Sequence, residues 1–120
     1  MTYANAYSEY KNNEIMSASK NKLVLMLYDG AIKFLKLSEI AIRENRIEKA
    51  NLNITKAQDI ISEFMATLNF DEGGVIADNL YQLYEYMHHT LVRANIEKDV
   101  SKVTEVRGYL EELRETWAQL

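Results

Sequence analysis

The chain has 120 residues, 48% of them hydrophobic, a formal net charge of -4, and neither cysteine nor proline. A chain of this length fills one domain around a single core, so residues 1–120 are expected to form one domain. The lack of cysteine excludes disulfides and thiolate metal sites, and it is typical of a protein of the reducing cytosol. Scattered basic residues argue against nucleic-acid binding, and no apolar run reaches the ~20 residues of a membrane span.

Residues 1–18 come before the first long helical pattern and are expected to form a short helical or extended arm. Tyr3, Tyr7 and Tyr10 recur at spacings of four and three, which would place them on one face over barely two turns, and Ile15 follows. So short a segment does not hold a helix by itself. The arm is either a frayed tail or a temporary cover for an apolar groove on the rest of the chain.

Apolar residues recur at helical spacing in four longer segments. The predicted helices run over residues 21–43, 46–68, 75–95 and 100–120. Asn45, with Glu48 three residues later, and Asp99 are the expected N-caps of the second and fourth helices, and FDEGG supplies a flexible turn before the third. Short connections make successive helices antiparallel, so the sequence predicts an all-α fold, an up-down-up-down four-helix bundle over residues 19–120.

The first and third predicted helices are apolar over a wide arc, whereas the second and fourth each carry one narrow stripe. In the first helix the inner stripe is Leu23, Leu27, Gly30, Phe34, Leu37 and Ala41, and the outer stripe is Val24, Ala31, Leu35 and Ile42. In the third helix the inner stripe is Ile76, Leu80, Leu83, Tyr84, Met87, Leu91 and Ala94, and the flank is Ala77, Tyr81, His88, Val92 and Ile96. Either both helices are central and surrounded, or the outer stripes form a groove for an amphipathic segment of a partner.

One metal-binding motif is present in the third predicted helix, where Glu85 and His88 form a Glu-x-x-His pair. A di-iron site in a bundle needs a second such pair, and the two histidines of this chain are adjacent, so no metal, cofactor or catalytic residue is expected. His89 would be exposed and could serve in a histidine phosphotransfer bundle, with Arg93 as the obvious cation one turn away. A signalling bundle of this kind remains the alternative to a binding protein.

Three blocks of the sequence resemble the FliS family, the flagellin export chaperones of bacteria. They are LVLMLYDGAIKFL in the first predicted helix, GGVIADNLYQLYEYMHHTLVRAN leading into the third, and EVRGYLEELRETW in the fourth. One departure is visible, because the family commonly has Ser-Pro before the first helix and this chain has Ser19 and Lys20. The serine can still cap that helix.

The resemblance implies a cytoplasmic four-helix bundle without enzymatic activity. Such a chaperone binds the C-terminal segment of newly made flagellin, prevents its premature polymerisation and helps to deliver it to the flagellar type III export gate. Binding and release of an aggregation-prone segment need apolar grooves and a few polar contacts rather than catalytic groups.

The candidate flagellin-binding groove combines apolar flank residues with residues able to hydrogen-bond a peptide backbone. Asp29, Asn79 and Asn95 are the candidate polar contacts, because an amide donates and accepts while a carboxylate accepts. The alternative role for Asn95, near a helix end, is capping. Tyr28 and Tyr81 would add apolar area with a polar tip, although tyrosines at the edge of a core have the same pattern. The remaining groove candidates are Val24, Ala31, Leu35 and Val92.

Overall fold

The structure, a computed structural model, describes residues 20–119 as four α-helices joined by short connections. The helices are α1 (Lys20–Arg43), α2 (Ile47–Thr67), α3 (Phe70–Glu97) and α4 (Val100–Ala118). The predicted all-α bundle is confirmed, and α3 is the one helix that begins several residues before its predicted start. Over this part of the chain no helix combines the length and apolar character that a membrane span requires. The predicted arm, with Tyr3, Tyr7, Tyr10 and Ile15, lies outside the described residues.

Helices that follow each other along the chain are neighbours in the bundle, and α4 closes the ring against α1. α1 and α3 therefore lie diagonally opposite each other, as do α2 and α4. α1 packs directly against α2, since a Cβ added at Gly30 would lie 3.5 Å from Ile60 Cδ1, in ordinary van der Waals contact. α3 packs more loosely against both of its neighbours.

The core face of α1 differs from the predicted one. Ala31 and Leu35 are fully buried, whereas Phe34 is half-buried and Leu37 is exposed. The prediction that Ala31 and Leu35 belong to an uncovered stripe is therefore wrong. The buried row continues through Ser38, whose hydroxyl donates to the Phe34 carbonyl oxygen at 2.8 Å. A polar residue in that place interrupts the apolar pattern, so the sequence favoured the stripe through Leu37 instead.

Asn45 ends α1 rather than capping α2, contrary to the prediction. Its φ of 61° lies in the left-handed region. Asn45 N donates to Ile42 O at 3.1 Å, and Arg46 N donates to Ala41 O at 2.8 Å. These two bonds form the Schellman motif that closes many helices, here with asparagine in the position where glycine is usual. Asp99 caps α4 as predicted, because its carboxylate accepts the backbone N–H two residues further on at 2.9 Å.

The predicted flexible turn FDEGG is instead the first turn of α3, followed by a break in the helix. Asn69 caps this turn by accepting the N–H of Glu72 at 3.1 Å. Gly74 then adopts φ 52° and ψ -125°, outside the helical region. Glycine adopts a positive φ without the steric cost that a side chain would bring. Beyond the break, Val75 and Ile76 are exposed.

Glu39 of α1 is buried, but α4 supplies partners for its carboxylate. Arg107 Nε donates to Glu39 Oε2 at 2.6 Å, and Thr104 Oγ1 donates to Oε1 at 2.5 Å. Burial by itself raises the pKa of the Glu39 carboxyl, but the bonds from Arg107 and Thr104 outweigh it, and the pKa lies below its ordinary value. Arg107 also pairs with Glu111 one turn along α4. This network fixes α1 against α4 and accounts for a charged residue on the buried side of α1.

Candidate functional site

Tyr28 lies at the centre of the bundle and not on its surface. Its hydroxyl is 2.5 Å from that of Tyr84 on α3, and the Phe64 ring contacts both tyrosines, with ring centroids 4.6 Å from Tyr28 and 5.4 Å from Tyr84. Burial raises the pKa of both hydroxyls above that of an exposed tyrosine. The prediction that Tyr28 lines an open groove is therefore wrong, as it is for Ala31 and Leu35, because α2 and α4 enclose this side of α1.

The remaining candidates on α1, Val24 and Asp29, do not share a surface with the candidates on α3. Val24 is half-buried against the core near the start of α1. The exposed Asp29 accepts from Arg114 Nε at 2.9 Å, so it lies on the side of α1 next to α4. Because α1 and α3 are diagonal in the bundle, the predicted groove is divided between two surfaces.

Tyr81, Val92 and Asn95 lie together on the flank of α3 next to α2. Asn95 Nδ2 donates to Asn51 Oδ1 on α2 at 2.6 Å, which fixes the orientation of this flank. Lys98 Nζ donates to the backbone oxygen and to Oδ1 of Asn95 at 2.6 and 2.7 Å, so Asn95 also takes part in the end of α3. Tyr81 is half-buried and Val92 is exposed. We name this surface the α2–α3 face, and at helical spacing it consists of Asn51, Gln58 and Met65 of α2 and Tyr81, His88, Val92 and Asn95 of α3.

Asn79 lies on the opposite flank of α3, next to α4. It precedes Tyr86 by two helical turns, and the Tyr86 hydroxyl donates to Glu105 Oε2 on α4 at 2.7 Å. The Tyr109 hydroxyl donates to the same oxygen at 2.8 Å. The structure therefore separates Asn79 from the other candidates on α3.

Two isoleucines of α3 are highly exposed, and for Ile76 this contradicts its predicted place on the inner stripe. Ile76 falls on the predicted inner stripe but is 71% exposed, and Ile96, on the predicted flank, is 79% exposed. α3 has 28 residues, whereas α2 has 21 and α4 has 19, so its ends are incompletely covered by its neighbours. The glycine pair before Val75 was the sequence signal for the exposure of Ile76, because Gly74 breaks the helix there.

Opposite sides of the bundle carry opposite charge. The sequence of α3 contains five carboxylates and one guanidinium, whereas that of α1 contains five cationic groups and two carboxylates. One of the two carboxylates of α1, Glu39, is buried and paired with Arg107. The α3 side is therefore acidic with apolar patches, and the α1 side is basic.

The two histidines lie in unlike surroundings. His88 is half-buried, and the exposed His89 shares a shallow pocket with Gln82, Glu85 and Tyr86. A carboxylate beside an acceptor histidine would repel an incoming phosphoryl group. Among residues 20–119, no group of three or more histidine, aspartate or glutamate side chains could hold a metal ion.

Two kinds of comparison relate the chain to known proteins. A family model described as "Flagellar protein FliS" matches residues 3–120. The chain is 38% identical over 119 residues to the flagellar secretion chaperone FliS of Bacillus subtilis, covering 99% of this chain and 88% of that protein. It is 34% identical over 117 residues to the flagellar secretion chaperone FliS of Salmonella typhimurium, covering 96% of this chain and 87% of that protein. Because the matches span nearly the whole chain, this protein belongs to the FliS family of flagellar secretion chaperones.

Proposed function

We propose that this FliS chaperone binds the C-terminal segment of flagellin in the cytosol, prevents its premature polymerisation and helps to deliver it to the flagellar type III export gate. Family membership supports a role in flagellar secretion. The observation that carries the proposal is the exposed apolar row of Val92 and Ile96 on α3, on the same flank as the half-buried Tyr81. Exposed apolar surface of this kind on a small bundle suits an amphipathic segment of a partner.

The α2–α3 face also offers hydrogen bonds to a bound segment. The Asn95 amide is already oriented by Asn51 and Lys98, so little side-chain entropy is lost when it contacts a peptide. Asn51 Nδ2 donates no hydrogen bond to any group within residues 20–119. A backbone carbonyl of flagellin can therefore accept from Asn51 without displacing a bond inside the chaperone.

Binding at this face requires no covalent chemistry. A flagellin segment that is disordered before binding loses conformational entropy when it becomes ordered, and burial of its apolar side chains against α3 offsets this cost. The same burial removes from water the side chains that would otherwise drive polymerisation. Release at the export gate then needs only the loss of these contacts.

We propose further that the arm, residues 1–18, covers apolar surface of the chaperone when flagellin is absent. α1 begins at the end of the bundle where α2 and α4 finish and α3 starts. The half-buried apolar side chains at this end include Val24, Leu27, Met65, Leu68, Leu80 and Trp117. The arm is tethered beside this surface, so its effective concentration there is high. The covering residues in this proposal are Tyr3, Tyr7, Tyr10 and Ile15.

Isothermal titration calorimetry with two forms of flagellin tests the proposed function. Full-length flagellin should bind with a large negative heat-capacity change, and flagellin without its last few tens of residues should not bind. A peptide of the removed residues should bind by itself, which separates loss of the site from misfolding of the truncated flagellin. Undiminished binding of the truncated form would overturn the proposal.

A further inference from the structure

An apolar groove lies between α1 and α2, on a side of the bundle away from the α2–α3 face. It has a volume of about 280 Å³. Ile40 and Leu52 are 50% and 52% exposed in its walls, and Leu37 is exposed beside them. The buried Ala41 and Asn53 lie at its base. We name it the α1–α2 groove, and the side chains that line it are Leu37, Ile40, Ala41, Glu44, Arg46, Lys49, Leu52, Asn53 and Lys56.

Cationic groups outnumber carboxylates at the rim of the α1–α2 groove. Arg46, Lys49 and Lys56 line it together with one carboxylate, that of Glu44. Arg46 and Glu44 form an exposed ion pair at 3.3 Å, which leaves the charges of Lys49 and Lys56 uncompensated at the rim. Lys56 Nζ lies 5.3 Å from the centroid of the Phe34 ring of α1, and this contact favours a position of the ammonium group at the rim.

The basic rim continues along α1. Lys33 and Lys36 are exposed and line a shallow depression beside Leu37, in which Asp29 is the carboxylate. Asp29 is engaged with Arg114 of α4. Over the part of the chain that the structure describes, no carboxylate pairs with Lys33, Lys36 or Lys49. A chain with a net charge of -4 thus concentrates unpaired cations around one apolar groove.

We propose that the α1–α2 groove docks an amphipathic helix of a second protein, one that carries acidic side chains on both sides of its apolar stripe. From Leu37 to Glu44 the groove follows α1 for about 10 Å, which accommodates two turns of a bound helix. The apolar stripe of that helix contacts Leu37, Ile40 and Leu52, and its carboxylates meet the lysines of the rim. This partner is a protein other than flagellin, and the proposal does not depend on where flagellin binds.

The shape of the groove favours a helix over a membrane. Its apolar side chains line a concave surface, whereas a bilayer is contacted best by apolar side chains that protrude. The charge favours an acidic partner over a second copy of this chain in register, because the α1–α2 groove of that copy has the same positive sign. The acidic α3 of a second copy would have to bind head to tail, which generates open chains rather than a closed dimer.

Two designed helical peptides of about 18 residues, each labelled with a fluorophore, test the proposal. Both carry the same leucine stripe, but one has glutamate and the other lysine at the flanking positions. Fluorescence anisotropy with the full chain should show that the acidic peptide binds at least about tenfold more tightly than the basic one, with the difference shrinking as salt is added. Chemical shift changes in methyl NMR spectra should be largest at Leu37, Ile40 and Leu52.

Surface variants locate the binding. Ile40→Glu and Lys49→Glu should each lower the affinity for the acidic peptide by about tenfold or more. Both positions are exposed, so the variants should keep the fold. Ile96→Glu introduces a glutamate on α3 instead, and it should change the affinity for the acidic peptide by less than about twofold. Circular dichroism spectra of all three variants should match that of the original chain.

Several results would overturn the proposal. Equal affinity of the acidic and basic peptides, or shift changes that map to α3, would remove the groove as a site for acidic helices. Displacement of the peptide by the C-terminal segment of flagellin would assign the groove to the flagellin site instead. If the chain self-associates in sedimentation experiments and Ile40→Glu abolishes this association, the occupant is a second copy of the chain. If the chain binds vesicles of anionic lipid and Ile40→Glu and Lys49→Glu abolish this binding, the groove contacts a membrane surface.

Discussion

The hydroxyl groups of Tyr28 and Tyr84 meet 2.5 Å apart at the centre of the bundle, and this contact joins the diagonal helices α1 and α3. The backbones of these two helices make no close approach within residues 20–119, so the tyrosine pair and the Phe64 ring that contacts both of them fill the middle. A polar contact inside an apolar core favours one arrangement of the helices, because a shift would leave a buried hydroxyl without a partner.

The tyrosine pair predicts non-additive losses of stability. Tyr28→Phe and Tyr84→Phe should each lower the free energy of unfolding by about 1 to 3 kcal/mol, because each leaves the partner hydroxyl buried without this bond. The double variant should lose less than the sum of the two, since neither hydroxyl remains. Urea denaturation of all four proteins measures the coupling. Additive losses would show that the contact between the hydroxyls contributes nothing specific.

The position of the α1 core predicts opposite outcomes for two nearby leucines. Leu35→Ala should lower the free energy of unfolding by about 2 to 5 kcal/mol, because Leu35 is fully buried and its truncation leaves a cavity. Leu37→Ala removes the same atoms from an exposed position and should cost less than about 1 kcal/mol. Thermal or urea denaturation of the two variants is the measurement. The stripe predicted from the sequence requires the reverse order.

The Glu39 network predicts a loss of stability that depends on pH. The pKa of Glu39 is below its ordinary value of 4.5 in the folded chain, so its contribution is present above pH 4.5 and disappears as the pH falls through the folded pKa. Glu39→Gln should therefore lower the free energy of unfolding at neutral pH by about 1 to 3 kcal/mol. The difference between variant and original chain should shrink below pH 4.5.

Urea denaturation at neutral and at acidic pH measures this effect, with Glu48→Gln as the control. Glu48 is exposed on α2, so the control should change the free energy of unfolding by less than about 0.5 kcal/mol. A constant difference between Glu39→Gln and the original chain at every pH would rule out ionisation of Glu39 as the source.

The proposed flagellin surface predicts a loss of binding without a loss of stability. Val92→Asp and Ile96→Asp place a charge on the exposed apolar row of α3 and should each weaken flagellin binding by about 2 kcal/mol. Both side chains are exposed, so the free energy of unfolding should change by less than about 0.5 kcal/mol. Leu52→Asp, in the α1–α2 groove, is the matched control for calorimetry. Equal losses for Leu52→Asp and Ile96→Asp would show that flagellin contacts both sides of the bundle.

The proposed arm predicts competition with flagellin. Deletion of residues 2–14 should increase the binding of a hydrophobic dye and leave flagellin affinity equal or higher, because the deletion removes the competing closed form. Hydrogen exchange followed by mass spectrometry should show faster exchange of the arm amides once flagellin is bound. Exchange of these amides at the rate of an unstructured peptide in the absence of flagellin would mean that the arm covers nothing.

Local features of the chain determined its helices and several of their ends. Apolar residues at helical spacing predict four helices, and the Asp99 cap follows from a carboxylate placed two residues before the N–H that it accepts. These features depend on residues within a turn or two of each other, so they can be read without knowing the fold. Asn45 shows the limit of such reading, because asparagine suits both the end of one helix and the start of the next.

The tertiary structure decided which face of each helix is buried. Ser38 and Glu39 lie on the buried side of α1, and Glu39 is accommodated there because Arg107, which is distant in the sequence, supplies its charge partner. The same packing buries Tyr28 and leaves Tyr81 and Val92 on a separate surface, because α1 and α3 lie diagonally in the bundle. The periodicity of apolar residues shows which residues share one side of a helix. Only the positions of the neighbouring helices determine whether that stripe is covered.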